Sequence, residues 1–255
     1  MILILTYHKV AATSNWDDAE EFYTVTRDAL EGQLHTLQTR GYHCLSMDEL
    51  LSNGAPPPNS CLLTFDDGTP CHYDIVLPLL QEYKFQGVFF GCTSKFDLPG
   101  RLSRAQVREM AQSGHIIGSH AHQHRRLDLM TDEQIHEEMT QSRRIITEVV
   151  GTPPVIFAPP GGYTNARVRA AALASGMRLI RTMRWGYNDR LELASLQCVP
   201  LNRHIGPRQF NDVLDRRRIV RSAVVYRIKE LAKRVLPSRL YTEVRQAISA
   251  THHNK

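Results

Sequence analysis

No stretch of this 255-residue chain approaches the ~18 consecutive apolar residues needed to cross a bilayer, so no membrane-spanning helix is expected. Cysteine is scarce. Five residues, Cys44, Cys61, Cys71, Cys92 and Cys198, are scattered, odd in number and without any C-x-x-C spacing. That argues against a disulfide framework or a cysteine-rich zinc module and leaves reduced, buried thiols. Only Cys71, close to a pair of aspartates, is a candidate soft ligand. No internal repeat and no low-complexity tract occurs, which leaves an ordinary globular body. The opening Met1-Ile2-Leu3-Ile4-Leu5-Thr6-Tyr7-His8 lacks a basic leader, and its apolar run is short. It reads as a buried first strand, with a cytoplasmic protein as the expectation. Acidic charge is nearly missing from one end: residues 216–255 hold eleven Lys or Arg against Glu230 and Glu243, a net of +9, so that residues 1–215 carry −4 of the overall +5.

What is present is an alternation of short β-type runs with amphipathic helical ones, the pattern of an α/β fold with parallel strands. Candidate strands are Ile2–Tyr7, Cys61–Phe65, Val88–Cys92, Ile116–Ser119, Val155–Ala158 and Arg178–Thr182. Ser103 with Gln106, and Thr131 with Gln134, have capping-box spacing and open two helices between them. Gly41, Gly114, Gly151 and Gly176 stand where helices should stop. The spacing predicts one body over residues 1–215. From Ile219, Val220, Val224, Ile228, Leu231 and Val235 recur at helical spacing among basic residues, so residues 216–255 are predicted to form a basic amphipathic helical tail.

The polar motifs fall where the strands end. Tyr7-His8 follows the first, Thr64-Phe65-Asp66-Asp67-Gly68 the second, His120-Ala121-His122-Gln123-His124 the run Ile116–Ser119, and Pro159-Pro160-Gly161-Gly162-Tyr163 the run Val155–Ala158. In a parallel barrel these ends share one face, which holds the active site. Of two adjacent carboxylates, one can ligate a metal while the other stays free to move protons. Three histidines in five residues permit a pair at i, i+4 (His120, His124) or at i, i+2 (through His122), from a helical face or a tight loop. Together these residues read as a catalytic metal site with a built-in general base.

The motifs resemble those of the polysaccharide deacetylase (NodB-homology) family, carbohydrate esterase family four, over roughly Met1 to Pro207: a T-F-D-D-G motif, an H-x-x-x-H motif and a Pro-rich third motif. The resemblance implies a distorted, incomplete (β/α) barrel. It implies Asp66 as general base and Asp67, His120 and His124 as ligands of a divalent metal, usually zinc, with His122 a neighbour. Two departures stand out. Ala158 occupies the place of the family's third-motif Arg, for which Arg181 or Arg184 could substitute. Leu201-Asn202-Arg203-His204 is one residue longer than the family's Leu-x-His, with His204 as the catalytic acid by this resemblance; Arg203, or no residue, is the alternative. Trp185, in Arg184-Trp185-Gly186-Tyr187-Asn188, matches the Trp motif loosely. Pro160, Gly161, Gly162, Tyr163, Trp185 and His8 are the expected substrate or oxyanion residues, with a backbone N–H near Gly161 as donor.

The implied activity is removal of N-acetyl groups from N-acetylhexosamine units of a glycan, free, lipid-linked or nascent at the cell surface. Two alternatives stay open: a metal-dependent amidohydrolase on a non-sugar amide, and a catalytically weak glycan-binding or scaffold member of a membrane-associated polysaccharide assembly. The +9 tail suggests peripheral contact with anionic lipid at the inner face of a membrane. No nucleic-acid motif accompanies it, and nucleic acid is not an expected partner.

Overall fold

A computed structural model describes residues 1–13, 22–52, 56–189 and 192–216. In chain order these form β1 (Ile2–Tyr7), β2 (Lys9–Ala11), β3 (Thr24–Thr26), α1 (Arg27–Thr39), β4 (His43–Cys44), α2 (Met47–Leu51), β5 (Ser60–Phe65), α3 (Leu77–Tyr83), β6 (Gly87–Gly91), α4 (Arg104–Gln112), β7 (Ile116–Ser119), α5 (Asp132–Val150), β8 (Ile156–Phe157), α6 (Ala166–Ala174), β9 (Leu179–Trp185), β10 (Leu196–Pro200) and α7 (Pro207–Leu214). The chain divides into two units, Met1–Phe210 and Asn211–Lys255. The barrel belongs to the first. The predicted tail lies outside the described residues, apart from Arg216.

Among the described residues seven parallel strands close a ring in the order β1, β5, β6, β7, β8, β9, β10, with β1 paired to both β5 and β10. This is the (β/α) barrel the sequence implied, one strand short of eight. The two-residue β4 pairs with the start of β5, and β2 with β3 makes a separate two-stranded parallel sheet. Six of the ring strands coincide with sequence-predicted ones, β1 and β7 with identical bounds and the other four trimmed or extended by one to three residues. The seventh, β10, was not anticipated.

Alternation along the strands sets what faces in. Ile2 and Ile4 of β1, Leu62 of β5, Val88 and Phe90 of β6, Ile156 of β8, Leu179 of β9 and Leu196 and Cys198 of β10 form one buried cluster, joined by Leu45 and Leu50 from the β4–α2 segment. Each fully buried aliphatic or aromatic side chain of this kind contributes about 1.5–3 kcal/mol relative to exposure. Phe90 fills the interior so tightly that a Cβ on Gly118 would lie 2.5 Å from its ring and 3.0 Å from Ile156. The opposite parity faces the helices: Phe157 and Ile180 pack with Ile135 and Met139 of α5 and Val168 and Ala172 of α6.

The helices begin and end as their sequences dictate. Ser103/Gln106 and Thr131/Gln134 both form complete capping boxes, opening α4 and α5; Ser46 with Glu49 forms a third, unanticipated, at α2. Gly151 closes α5 with φ 87°, a left-handed conformation that costs glycine nothing.

Candidate metal centre and active-site carboxylates

Extending the inward parity by one step at the C-terminal strand ends gives the chemistry. After Ile4 and Thr6 comes His8. After Leu62 and Thr64 comes Asp66, after Ile116 and Gly118 comes His120, and after Leu179 comes Arg181. Thr6 and Thr64 meet across β1 and β5 through their hydroxyls at 2.8 Å, one layer below Asp66.

Asp66 and Asp67 are neighbours in sequence and are parted by the backbone. Asp66 is still in the ladder, its N–H donating to Tyr7 O at 2.9 Å. Asp67 has left it, at φ 79°, a left-handed conformation that Asp tolerates better than most residues. Arg101 Nη1 donates to the Asp67 carbonyl at 2.9 Å and fixes the turn. The two carboxylates therefore enter different surroundings.

Asp67 Oδ1 lies 3.4 Å from His120 Nε2 and 3.1 Å from His124 Nε2. One donor atom from each of the three falls within 4.8 Å of the others. His120 Nδ1 donates to Ala158 O at 2.7 Å, which turns its Nε2 toward Asp67 with the lone pair available. Carboxylate and imidazole donors of this kind suit zinc and the neighbouring divalent transition metals, so the residues present fit such an ion. The histidine segment is a loop, not a helix, with Ala121 (φ 61°) and His124 (φ 57°) both left-handed. His122 points elsewhere: its Nδ1 is 2.9 Å from Thr93 Oγ1. The pair brought together is thus His120 with His124.

Asp66 is 2% exposed and stands beside the triad. Arg181, wholly buried, donates from Nη2 to both Asp66 oxygens. Its guanidinium carbon sits 5.1 Å above the Phe90 ring. Of the two arginines the sequence left open, Arg181 is the one that reaches Asp66, while Arg184 reaches Ser195 Oγ at 3.3 Å. Burial pushes the Asp66 carboxyl up, but Arg181, followed by His8 and His120, outweighs it and holds the group below the usual carboxylate range. Asp67 is likewise raised by burial and brought far lower by the His120 and His124 imidazoles that face it.

His8 Nε2 lies 3.8 Å from Asp66 Oδ2, and its ring stacks on Tyr23 at 4.8 Å between centroids. Burial lowers its pKa against the pull of Asp66 and Asp67. The His8 carbonyl is held at 2.6 Å by His72 Nε2. His72 is fully buried in a π-helical turn, His72–Val76, against the stacked Phe65 and Phe89 rings, and burial pushes its pKa down to about 4. It therefore stays neutral and serves as a donor.

The remaining expected residues are distributed less tightly. Pro160, Gly161 and Gly162 form a single turn after β8. Within it the Gly162 and Tyr163 N–H groups already donate to Pro159 O (2.9 Å) and Pro160 O (3.3 Å), which removes these two as oxyanion donors. The Tyr163 ring lies 3.8 Å below the Arg126 guanidinium. Trp185 ends β9 and meets Tyr187 edge to face at 5.7 Å. His204 is exposed on the loop after β10, 5.7 Å from the Phe22 ring, with Arg203 Nε 3.3 Å from its Nε2. Cys71 accepts from Val10 N–H at 3.2 Å and is not part of the metal-type cluster.

A family model described as polysaccharide deacetylase matches residues 53–180, the stretch that contains Asp66, Asp67, His120, His124 and Ala158. The chain belongs to the polysaccharide deacetylase family. It is 27% identical over 180 residues to a putative polysaccharide deacetylase, YxkH, of Bacillus subtilis, covering 69% of this chain and 62% of that one. It is 30% identical over 128 residues to a peptidoglycan-N-acetylglucosamine deacetylase of Bacillus cereus, covering 50% of this chain and 56% of the relative. The chain thus spans less than two thirds of the length of these polysaccharide deacetylase relatives. The Streptococcus pyogenes deacetylase PplD, solved in complex with acetate, superposes with a TM-score of 0.76 at 24% identity, over 83% of this chain and 96% of that one. IcaB from Ammonifex degensii superposes with a TM-score of 0.73 at 22% identity, over 83% and 94%. These likenesses support the barrel as the polysaccharide deacetylase fold.

Proposed function

We propose that this polysaccharide deacetylase removes acetyl groups from N-acetylhexosamine units of a glycan, using a divalent metal, zinc by the chemistry of its donors. The observation that carries the reading is the separation of tasks at Asp66-Asp67. Asp67 faces two imidazole nitrogens, whereas Asp66, next to it, faces Arg181 and His8 and has no place among the ligand atoms.

Asp67, His120 and His124 would hold the ion. When bound, it supplies Lewis acidity to a water and to the acetyl carbonyl. Asp66, kept ionised by Arg181, takes the proton from the attacking water. Arg181 also fixes the orientation of that carboxylate, because its position is set by β9 and by the Phe90 ring below it. The departing sugar amine needs a proton. His8, 3.8 Å from Asp66, is one imidazole able to deliver it; His204 is the other. His8→Gln and His204→Gln separate them, since loss of the acid depresses kcat most for the poorer leaving groups and alters the basic limb of the pH profile. Ala158 in place of the family's Arg, with the lengthened last motif, is ground for a catalytically weak scaffold, and the pairing of Arg181 with Asp66 weakens the first of these.

The test is acetate release from N-acetylglucosamine oligomers beside a panel of non-sugar amides. Asp66→Asn should abolish release and keep the ion bound, and His120→Ala should lose both. Full turnover by Asp66→Asn would sink the assignment. The +9 charge of residues 216–255 further supports docking on anionic lipid, which would place the site against lipid-linked or nascent glycan at the inner membrane face. Sedimentation with anionic liposomes, compared between the full chain and one ending at residue 215, checks this, and equal sedimentation removes the idea.

A further inference from the structure

Two ligands of the proposed ion come from one short loop that has no glycine at either of its left-handed positions. Ala121 and His124 are both held left-handed, at φ 61° and 57°; such residues cost on the order of 1 kcal/mol or more each and persist only where the surroundings over-determine them. The surroundings here are two clamps. On one side, the N–H groups of His122 and Gln123, between the two ligands, both donate to Glu138 Oε2 at 2.8 Å. Glu138 belongs to α5, is 5% exposed, and plays no part in the proposed reaction. On the other side, Ser94 N–H and Oγ donate to His122 O at 3.0 and 2.6 Å, and Thr93 Oγ1 meets the His122 ring.

A buried carboxylate is a costly residue to keep in a helix facing the barrel unless it is fully hydrogen-bonded. An alanine would serve the helix as well. What the carboxylate supplies is a single acceptor for two adjacent N–H groups that the left-handed turn points inward. Those N–H groups would otherwise be orphaned at about 1–3 kcal/mol each. Ala121 is held separately, by Ser119 Oγ on its N–H at 3.2 Å and by Thr93 N–H on its carbonyl at 3.4 Å, so losing the Glu138 acceptor would release the left-handed His124 backbone, whose relaxation would swing its ring away from Asp67. His120 is pinned separately, by Gly91 O to its N–H at 3.1 Å and by Ala158 O to its Nδ1. The sensitivity therefore falls on His124.

We propose that Glu138 is the positioning residue of the metal-ligand loop: it holds His124 in register with Asp67 and His120, and so sets the affinity and geometry of the ion. This rests on the metal reading given above and goes beyond it to a residue on a different element, 14 positions from the nearest ligand.

The experiment strips the full chain of metal, then titrates Zn2+ against a competing chromophoric chelator and records Co2+ absorption, for wild type, E138Q and E138A. E138A should bind Zn2+ roughly 10- to 100-fold more weakly, the range found when a residue supporting a ligand is lost, with an altered cobalt spectrum. E138Q, whose amide oxygen still accepts both N–H groups, should lose less. Should E138A fail to fold, E138Q and Ser94→Ala, which loosens the opposite clamp, carry the test through the same two readouts. A purely structural role would lower the melting temperature of the metal-free protein and leave zinc affinity and cobalt spectrum at wild-type values; that result overturns the proposal. A wild-type chain that binds no ion would instead sink the metal reading, and this inference with it.

Discussion

Replacing Arg181 by methionine tests the electrostatic core of the site. Methionine fits among Phe90, Met183 and Cys198 without adding volume, so the change removes the guanidinium and little else. Asp66 is then a 2% exposed carboxylate with no full cation beside it. Burial, the largest influence on its pKa, is opposed only by His8 and His120. Removing one partner of a buried pair costs about 3–5 kcal/mol, because the survivor is left charged and unpaired. For a chain of this size each kcal/mol moves Tm by about 2–4 °C, so Tm should fall by roughly 6–20 °C at pH 7.5 in EDTA.

The pH dependence gives the sign. In the wild type the folded pKa of Asp66 is depressed, so its contribution is present above the unfolded value of about 3.9 and is lost as pH falls below it. In the variant the folded pKa is raised, so the unfolded state holds fewer protons and the penalty grows as pH rises above about 3.9. The Tm difference should therefore be smaller at pH 4.5 than at pH 7.5, and Asp66→Asn in the Arg181→Met background should recover part of the loss at pH 7.5. A Tm difference that is equal at the two pH values, or below about 2 °C at pH 7.5, would refute the reasoning.

Three further outcomes are expected. Gly118→Ala places a Cβ 2.5 Å from the Phe90 ring and should destabilise by about 1–3 kcal/mol, read as a lower urea midpoint with unchanged slope. His72 is fully buried with a pKa of about 4, against about 6.5 unfolded, so its contribution is complete above pH 6.5 and lost as pH falls toward 4, amounting to about 3 kcal/mol. His72→Gln, which keeps a donor for His8 O, should flatten that part of the stability profile in thermal melts. Thr131→Ala removes the cap of α5 and should cost about 1 kcal/mol by urea titration while leaving zinc affinity unchanged.

Much of this was legible in the chain because the barrel strands obey alternation. Ile116–Ser119 was read with the bounds it has, and both anticipated capping boxes formed. β10 escaped because Leu196-Gln197-Cys198-Val199-Pro200 is short, carries Gln197 and ends in proline; its strand character comes from pairing with β1 and β9 and not from its own pattern. Parity would have chosen between the two arginines. Arg181 shares a face with Leu179 and Met183, Arg184 does not, and only the first face lines the barrel. His72 and Glu138 were not legible at all. The burial of His72 depends on aromatic rings brought from β5 and β6, and the partners of Glu138 are backbone N–H groups whose direction depends on two left-handed residues.

The same parity explains why two adjacent aspartates cannot exchange tasks. Asp66 follows directly on β5 and keeps its inward parity, its N–H still bonded to Tyr7 O, so its carboxylate meets the guanidinium that β9 delivers. Both of its oxygens are held there by Arg181, and turning either toward an ion beside Asp67 Oδ1 would require breaking that buried pair. Asp67 sits one residue later, where the chain has turned left-handed, and its side chain swings off the axis toward the loop after β7. Moving the aspartates by one position, as an inserted residue before Phe65 would, reverses the face of every side chain beyond it. The spacing between the inward threonine layer and the turn at Gly68 is therefore what assigns one carboxylate to the proton and the other to the ion.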